Sequence, residues 1–167
     1  MEIVDYEQRH LDAVVALCRA EGWISFAGNR ERAGRAMTGP GVTALVAVES
    51  GAGEMAGDED ARHAAAGDEP ALAEERVLGF SQAVGDGCFG GYLCMLLVDE
   101  ETRGRGIGKA LVERTLRESG VLRLDLLSSE GAMSLYERFP HIRIPGFRLY
   151  PDESLVPSKG DPPPSSD

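Results

Sequence analysis

The stretch YLCMLLVDEETRGRGIGKA, residues 92–110, decides the fold of this chain. Its apolar first part, residues 92–98, has the length and composition of a buried strand. Apolar residues at helical spacing begin after it, at Ala110. The glycine-rich segment from Arg103 to Lys109 therefore joins the end of a strand to the start of a helix.

This turn has the properties of a phosphate-binding loop. The first N–H groups of a helix have no partner within the helix and carry the positive end of its dipole, so they bind anions. Glycines allow the backbone to approach a ligand closely. Arg103, Arg105 and Lys109 add three cations within seven residues, in a chain whose formal net charge is -11. We predict that the turn holds a pyrophosphate.

The spacing of the glycines separates three families of phosphate loop. A Walker-type loop needs Gly and Ser or Thr where this chain has Arg103 and Ala110. A dinucleotide-binding fingerprint lacks its third glycine in either register. The pattern Arg-x-x-Gly-x-Gly is met by Arg103, Gly106 and Gly108. The segment thereby resembles the acetyl-CoA-binding motif of GNAT-fold N-acetyltransferases.

The resemblance continues after the loop. A predicted strand at Val121–Leu127 is followed by Ser128-Ser129, which we expect to cap a helix that carries Ala132, Leu135 and Tyr136. The family has a helix of the form Asn-x-x-Ala-x-x-Leu-Tyr here, with its tyrosine near the sulfur of the cofactor. This chain matches that form except at Ser129, which stands in the Asn position.

The resemblance implies an α/β (α+β) fold of the GNAT type. It has a central mixed, mostly antiparallel twisted sheet flanked by helices, with strands 4 and 5 splayed into a cleft. The chain pattern agrees with this order of elements. Predicted strands lie at Glu2–Tyr6, Val42–Val48, Val77–Val84 and Phe89–Val98, with a last strand at Phe147–Tyr150, and predicted helices run from about Leu11 to Glu21 and from Arg30 to Met37.

The family resemblance also implies the site. The pantetheine arm of acetyl-CoA would pair with the backbone of strand 4, the loop would hold the pyrophosphate, and Tyr136 would be the catalytic acid that protonates the leaving sulfur. The residues assigned to acetyl-CoA are Leu96, Leu97, Val98, Arg103, Gly104, Arg105, Gly106, Ile107, Gly108, Lys109, Ser129 and Ala132. Leu96 and Val98 are equally well explained as core strand residues.

The general base and the acceptor stay open at this stage. The predicted fourth strand carries no carboxylate, and Glu21, Asp86 and His141 are expected to be structural or solvated rather than catalytic. Trp23 and Phe26 are candidates for lining the acceptor pocket, although packing of a helix onto the sheet explains them as well. A small-molecule amine, an amino acid, an aminoglycoside or a peptide amino terminus would all serve as the acceptor.

Composition limits the class of protein. The 167 residues, 43% of them hydrophobic, suit one domain, which we place at 1–150. Eight carboxylates in residues 50–76 predict a mobile acidic insertion, and five prolines predict a disordered tail at 151–167. The negative charge disfavours nucleic acid as a partner. Without a long apolar run or a secretory signal, we expect no membrane association and a cytoplasmic location. Three cysteines without metal-ligand spacing predict no metal site.

These observations favour an acyl-CoA-dependent N-acetyltransferase that transfers an acetyl group from acetyl-CoA to an amine by direct attack in the strand 4/strand 5 cleft. A non-catalytic acyl-CoA-binding regulatory module is the main alternative, because the strand base and the Asn are missing. An acidic interaction protein that docks through residues 50–76 is a third. An exposed strand edge near the carboxyl end motivates a homodimer as a further hypothesis.

Overall fold

A computed structural model describes residues 1–50 and 75–151. Nearly all of the predicted acidic insertion and of the Pro-rich tail lies outside these residues. The strands are β1 (Glu2–Asp5), β2 (Val42–Ser50), β3 (Glu75–Gly85), β4 (Gly90–Val98) and β5 (Arg123–Asp125). The helices are α1 (Leu11–Ala20), α2 (Ile24–Ala27), α3 (Arg30–Thr38), α4 (Ile107–Glu118) and α5 (Met133–Tyr136), with short 3-10 turns at Gln8–His10 and Glu100–Thr102.

The five strands form one mixed sheet in the order β1-β2-β3-β4-β5. The first four strands are antiparallel to their neighbours, and β5 runs parallel to β4. The predicted fold class is therefore confirmed. No helix in the described part of the chain is both long enough and apolar enough to cross a bilayer.

Helices cover both faces of the sheet, and the alternation within β2 shows why. Val46 and Val48 are buried in a cluster with residues of α1 and α3. Leu45 and Ala47, one position earlier in each case, are buried against Ile107 of α4. Side chains alternate between the two faces of a strand, so the consecutive apolar residues 44–48 of β2 must be covered on both sides.

One buried polar link joins α4 to the sheet. The Thr115 hydroxyl donates to the Leu111 carbonyl at 2.8 Å, and its oxygen lies 2.8 Å from the hydroxyl of Ser81 on β3. Since the Thr115 proton is used within the helix, the Ser81 hydroxyl is the donor in the pair. Both residues are fully buried, so the Ser81 hydroxyl depends on Thr115 for its acceptor.

We expect Thr115→Val to lower the free energy of unfolding by about 1–3 kcal/mol, because it leaves the buried Ser81 hydroxyl without an acceptor. Ser81→Ala should cost less, about 1 kcal/mol, since Thr115 keeps its bond to Leu111. Urea denaturation of the two variants measures both values. A larger loss in Ser81→Ala than in Thr115→Val would contradict the donor assignment.

A bulge in β4 and an unpaired stretch of its edge lie where the resemblance predicts the cleft. Gln82 pairs with Met95 and Ala83 with Leu93, so Cys94 is an extra residue opposite the bond between them. Pairing with β5 covers only Gly90–Tyr92, although β4 continues to Val98. Beyond Tyr92, β4 has no strand partner on this side among the described residues, because β5 ends at Asp125.

The carboxyl-terminal part departs from the sequence predictions. β5 is limited to Arg123–Asp125 instead of Val121–Leu127, and the strand predicted at Phe147–Tyr150 is absent. A strand needs a partner for its backbone groups, and no described segment pairs with these residues. Pro145 lacks the N–H that a ladder requires. Alternation along the chain therefore predicted a strand for which the fold provides no partner.

Two helix predictions also need correction. α5 is a single turn that begins at Met133 with Ala132 in the N-cap position, so Ser129 does not cap it as expected. Instead, the Ala132 N–H donates to the Ser129 carbonyl at 3.2 Å, in a turn that leads into the helix. The short α2 helix at Ile24–Ala27 was not predicted, because four residues are too few to show a helical period.

Candidate active site

The loop between β4 and α4 has the backbone that its glycines predict. Gly104 has a φ of 79° and Gly106, the N-cap of α4, a φ of 83°. This left-handed region disfavours residues with a β-carbon. Open space surrounds both glycines. Among the described residues, none accepts a hydrogen bond from the backbone N–H groups of residues 104–109. The loop thus presents six donors at the positive end of α4.

The three cations of the loop all have partners within the chain. Arg105 donates to Glu49 of β2 at 2.7 Å, and Lys109 lies 3.3 Å from Glu113. These four side chains are about half exposed, so the two pairs are weak and can exchange for a phosphate. The presence of Arg105 beside Glu49 lowers the pKa of that carboxyl.

Arg103 is held differently from the other two cations. Its Nε donates to the Val98 carbonyl at 3.2 Å, and its Nη2 donates to the carboxylate of Glu21 at the end of α1. The Glu21 side chain is only 13% exposed. No sequence pattern indicates this contact, because the two residues are 82 positions apart.

The predicted strand residues combine core side chains with an open backbone. Leu97 is buried with the α1 and α3 cluster, while Leu96 and Val98 pack on the α4 side. Their side chains therefore serve the core, as the packing interpretation expects. Their backbone lies in the part of β4 that β5 does not pair. A cofactor would bind these residues through backbone groups alone.

The structure brings α5 next to the phosphate loop. A β-carbon at Gly108 would lie 3.4 Å from Leu135 and 3.6 Å from Val98, so these three residues meet at the start of α4. Tyr136 follows Leu135 and packs against the cluster formed by Leu93, Val112 and Ala83. Burial raises the pKa of Tyr136 to about 12. The phenol therefore keeps its proton at neutral pH and is available as a hydrogen-bond or proton donor.

A cavity of about 1030 Å³ lies beside Tyr136, and it was not anticipated from the sequence. Leu93, Val112 and Phe139 contribute to its apolar lining, and His141 stands at its wall. The His141 Nδ1 lies 2.9 Å from the Phe139 carbonyl, and the residue is exposed. The lining comes from β4, α4 and the segment after α5, which are distant in sequence.

Asp86 is a turn residue rather than a base for the cleft. One of its oxygens accepts from the backbone N–H groups of Cys88, Phe89 and Gly90 at 2.8, 2.7 and 3.2 Å. These bonds lower the pKa of its carboxyl. Asp86 precedes β4, whereas the phosphate loop follows it, so the length of the strand separates them. Its expected structural role agrees with these contacts.

Trp23 and Phe26 meet on the opposite face of the sheet from α4. Both rings have centroids 6.5 Å from the ring of Phe80, in an edge-on arrangement for Trp23 and a stacked one for Phe26. Both are partly buried against the α1 and α3 core. These contacts are those of packing, and an acceptor-binding role for the pair stays a prediction.

The comparisons with known proteins agree with the motif. A family model described as "Acetyltransferase (GNAT) domain" matches residues 44–139, which include β4, the loop and Tyr136. No curated protein was found to match the chain.

Three solved structures illustrate the likeness in fold. A Trypanosoma brucei acetyltransferase is 20% identical over 89% of this chain and 98% of its own, with a TM-score of 0.54. A ribosomal-protein-alanine N-acetyltransferase from Brucella melitensis biovar Abortus is 15% identical over 90% and 99%, with a TM-score of 0.58. An aminoglycoside 6'-N-acetyltransferase complexed with coenzyme A is 21% identical over 75% of this chain and 61% of its own, with a TM-score of 0.51.

Proposed function

Because the chain belongs to the GNAT family of acetyltransferases, we propose that it transfers an acetyl group from acetyl-CoA to an amine in the β4/β5 cleft. The observation that carries the proposal is the loop after β4, whose six backbone N–H groups have no described acceptor and whose two left-handed glycines would leave a β-carbon in open space. A diphosphate needs many donors and room for a close approach, and this loop supplies both. The residues present therefore fit the phosphates of acetyl-CoA.

Each part of the site has a separate task in this proposal. Acetyl-CoA supplies an activated thioester. Backbone N–H groups of residues 104–109 bind the diphosphate, with Arg105 and Lys109 released from their carboxylate partners to add charge. The unpaired backbone of Leu96, Leu97 and Val98 orients the rest of the cofactor along β4. Ser129 and Ala132 form the turn that sets α5 beside the loop.

Tyr136 acts as the acid. Its half-buried phenol, with a pKa of about 12, holds the proton that a departing thiolate needs. The acceptor amine must lose a proton to become nucleophilic, and we propose that solvent removes it, since Asp86 is engaged in its turn. The position of the tyrosine helix against the phosphate loop favours catalysis over the non-catalytic alternative.

Calorimetric titration with acetyl-CoA, followed by a free-thiol release screen over amines, tests the function. The panel includes a small diamine, an amino acid, an aminoglycoside and a peptide with an amino-terminal alanine. Their selection reflects the amine acceptors named for two proteins of similar fold. Binding with thiol release for one class identifies the acceptor. Absence of acetyl-CoA binding by the full chain would refute the proposal.

Cysteine labelling checks the position of the cofactor. Cys94 lies at the bulge of β4 and is exposed, Cys88 is exposed in the preceding turn, and Cys18 is buried with a pKa raised to about 12. We expect acetyl-CoA to slow the modification of Cys94. Cys88 is the matched control, and its rate of modification should be the same with and without acetyl-CoA. Mass spectrometry of labelled peptides measures both. Equal protection of the two cysteines would contradict the cleft placement.

We propose that a second copy of the chain covers the edge of the sheet near the carboxyl end. Ile142, Ile144, Phe147 and Leu149 are 61–88% exposed, and large apolar groups clustered on a surface favour association. The outer edge of β5 has no strand partner in the described chain. Light scattering should give the mass of a dimer, and Phe147→Asp should give a monomer. A monomeric mass for the unaltered chain would remove this proposal.

A further inference from the structure

The contact between Glu21 and Arg103 joins three elements of the fold. Glu21 is the C-cap of α1, and its backbone N–H donates to the Leu17 carbonyl at 3.1 Å, so its position follows that of the helix. Arg103 starts the phosphate loop. Its guanidinium bonds to both the Glu21 carboxylate and the carbonyl of Val98, the last residue of β4. The end of α1 is thereby connected to the loop and to the strand edge.

This contact differs from the other ion pairs of the loop by its burial. The side chains of Glu21 and Arg103 are 13% and 32% exposed, against 40% and 46% for Glu49 and Arg105. A nearly buried carboxylate requires a charged partner, and the pair has a well-defined geometry for that reason. Gly104, with its left-handed backbone, follows directly. The guanidinium therefore fixes the point from which the row of backbone donors begins.

We propose that Glu21 is a positioning residue for the acetyl-CoA loop and acts through Arg103. This inference rests on the proposed function. Glu21 holds the guanidinium on the Val98 carbonyl, and this keeps the N–H groups of residues 104–109 directed toward one ligand. Preorganised donors bind more tightly than donors that must be ordered on binding. Glu21 thus strengthens acetyl-CoA binding although its own charge repels the phosphates.

The exposed Glu49 provides a control of matched chemistry. It also pairs with a loop arginine, Arg105, and Glu→Gln removes one negative charge in either place. Coulomb repulsion alone predicts that both variants bind acetyl-CoA more tightly. Positioning predicts opposite changes in acetyl-CoA affinity for the two variants, because the Glu21 pair is less exposed than the Glu49 pair and its arginine is also bonded to β4.

The experiment is calorimetric measurement of the acetyl-CoA Kd in the full chain. We expect Glu49→Gln to bind about 2- to 5-fold more tightly, with the gain reduced by added salt. Glu21→Gln should bind about 5- to 20-fold more weakly, the size expected for losing one charge-assisted bond. Glu31 forms an exposed ion pair with Arg35 on α3, which is far from the loop in sequence. Glu31→Gln should therefore leave the Kd unchanged. Glu21→Asp keeps the negative charge but shortens the side chain by one methylene. Weaker binding in this variant would show that the position of the carboxylate matters, and not only its charge.

A double-mutant cycle with Arg103→Gln tests the route of the effect. In that background Glu21→Gln should no longer weaken binding. Once the amine screen has identified an acceptor, the KM for acetyl-CoA should be higher in Glu21→Gln than in the unaltered chain, while the KM for the acceptor should be the same. Tighter binding in Glu21→Gln, or a weakening that persists without Arg103, would overturn the positioning role while leaving the proposed function intact. Failure of the unaltered chain to bind acetyl-CoA would instead refute the proposed function and this inference with it.

Discussion

Gly106→Glu is expected to weaken acetyl-CoA binding by about 100-fold or more, because it places a carboxylate at the start of α4, where the phosphates would bind. Gly106 has a φ of 83° and open space around it, so the side chain would extend into the ligand region rather than into the core. The left-handed backbone adds a modest strain, of about 1–2 kcal/mol, for any residue with a β-carbon. Calorimetric titration of the variant measures the loss.

Gly87→Glu is the matched control for this change. Gly87 has a φ of 71° and equally open surroundings, so the substitution introduces the same charge and similar backbone strain. It lies next to Gly120, beyond the far end of α4, and the 12 residues of that helix separate it from the loop by roughly 18 Å at 1.5 Å per residue. Acetyl-CoA affinity should survive there. Unchanged affinity in Gly106→Glu, or an equal loss in both variants, would refute the assignment of the phosphate site.

Tyr136→Phe should leave acetyl-CoA affinity unchanged and lower kcat by about 10- to 1,000-fold, the range expected for removing a general acid. The ring packs against Leu93 and Val112, and phenylalanine preserves this packing. The kcat is measured from the rate of free-thiol release with the acceptor that the amine screen identifies. Tyr92→Phe removes an exposed hydroxyl from the neighbouring part of β4 and should keep the kcat of the unaltered chain.

The pH dependence provides an independent check of the same residue. Burial raises the pKa of Tyr136 to about 12, above the ordinary value of 10.0. An acid with a raised pKa stays protonated as the pH increases, so its activity is lost only near that higher value. We expect no fall in kcat between pH 7 and 10. A fall in kcat centred near pH 10 would show that Tyr136 is solvated or is not the acid. The same fall in the Tyr136→Phe variant would exclude Tyr136 as the acid.

Residues close together in sequence carried most of the functional prediction. The spacing of Arg103, Gly106 and Gly108 requires only local rules, because a tight turn and a helix start are formed within a few residues. The order of elements from that loop to the helix that carries Tyr136 is likewise predicted from local sequence patterns. The family match, which spans residues 44–139, confirms the fold class and the acetyltransferase family. The roles of the individual site residues stay predictions.

The strand prediction at Phe147–Tyr150 failed for a reason that sequence patterns do not contain. Apolar alternation shows that a segment is suited to a sheet, but a strand also needs a neighbour with free backbone groups. β5 is only three residues long and pairs with β4 on one side. The described chain supplies no further strand, so these residues remain irregular and exposed.

The sequence by itself determined the chemistry of the loop and the order of the elements, because glycine conformation, helix dipoles and hydrophobic periods are local properties. The tertiary structure alone decided which charges meet. It placed Glu21 on Arg103 across 82 positions, limited the pairing of β5 to the first three residues of β4, and buried the Tyr136 side chain enough to raise its pKa. Such contacts depend on how both helix layers pack on the sheet, and no short stretch of sequence specifies that packing.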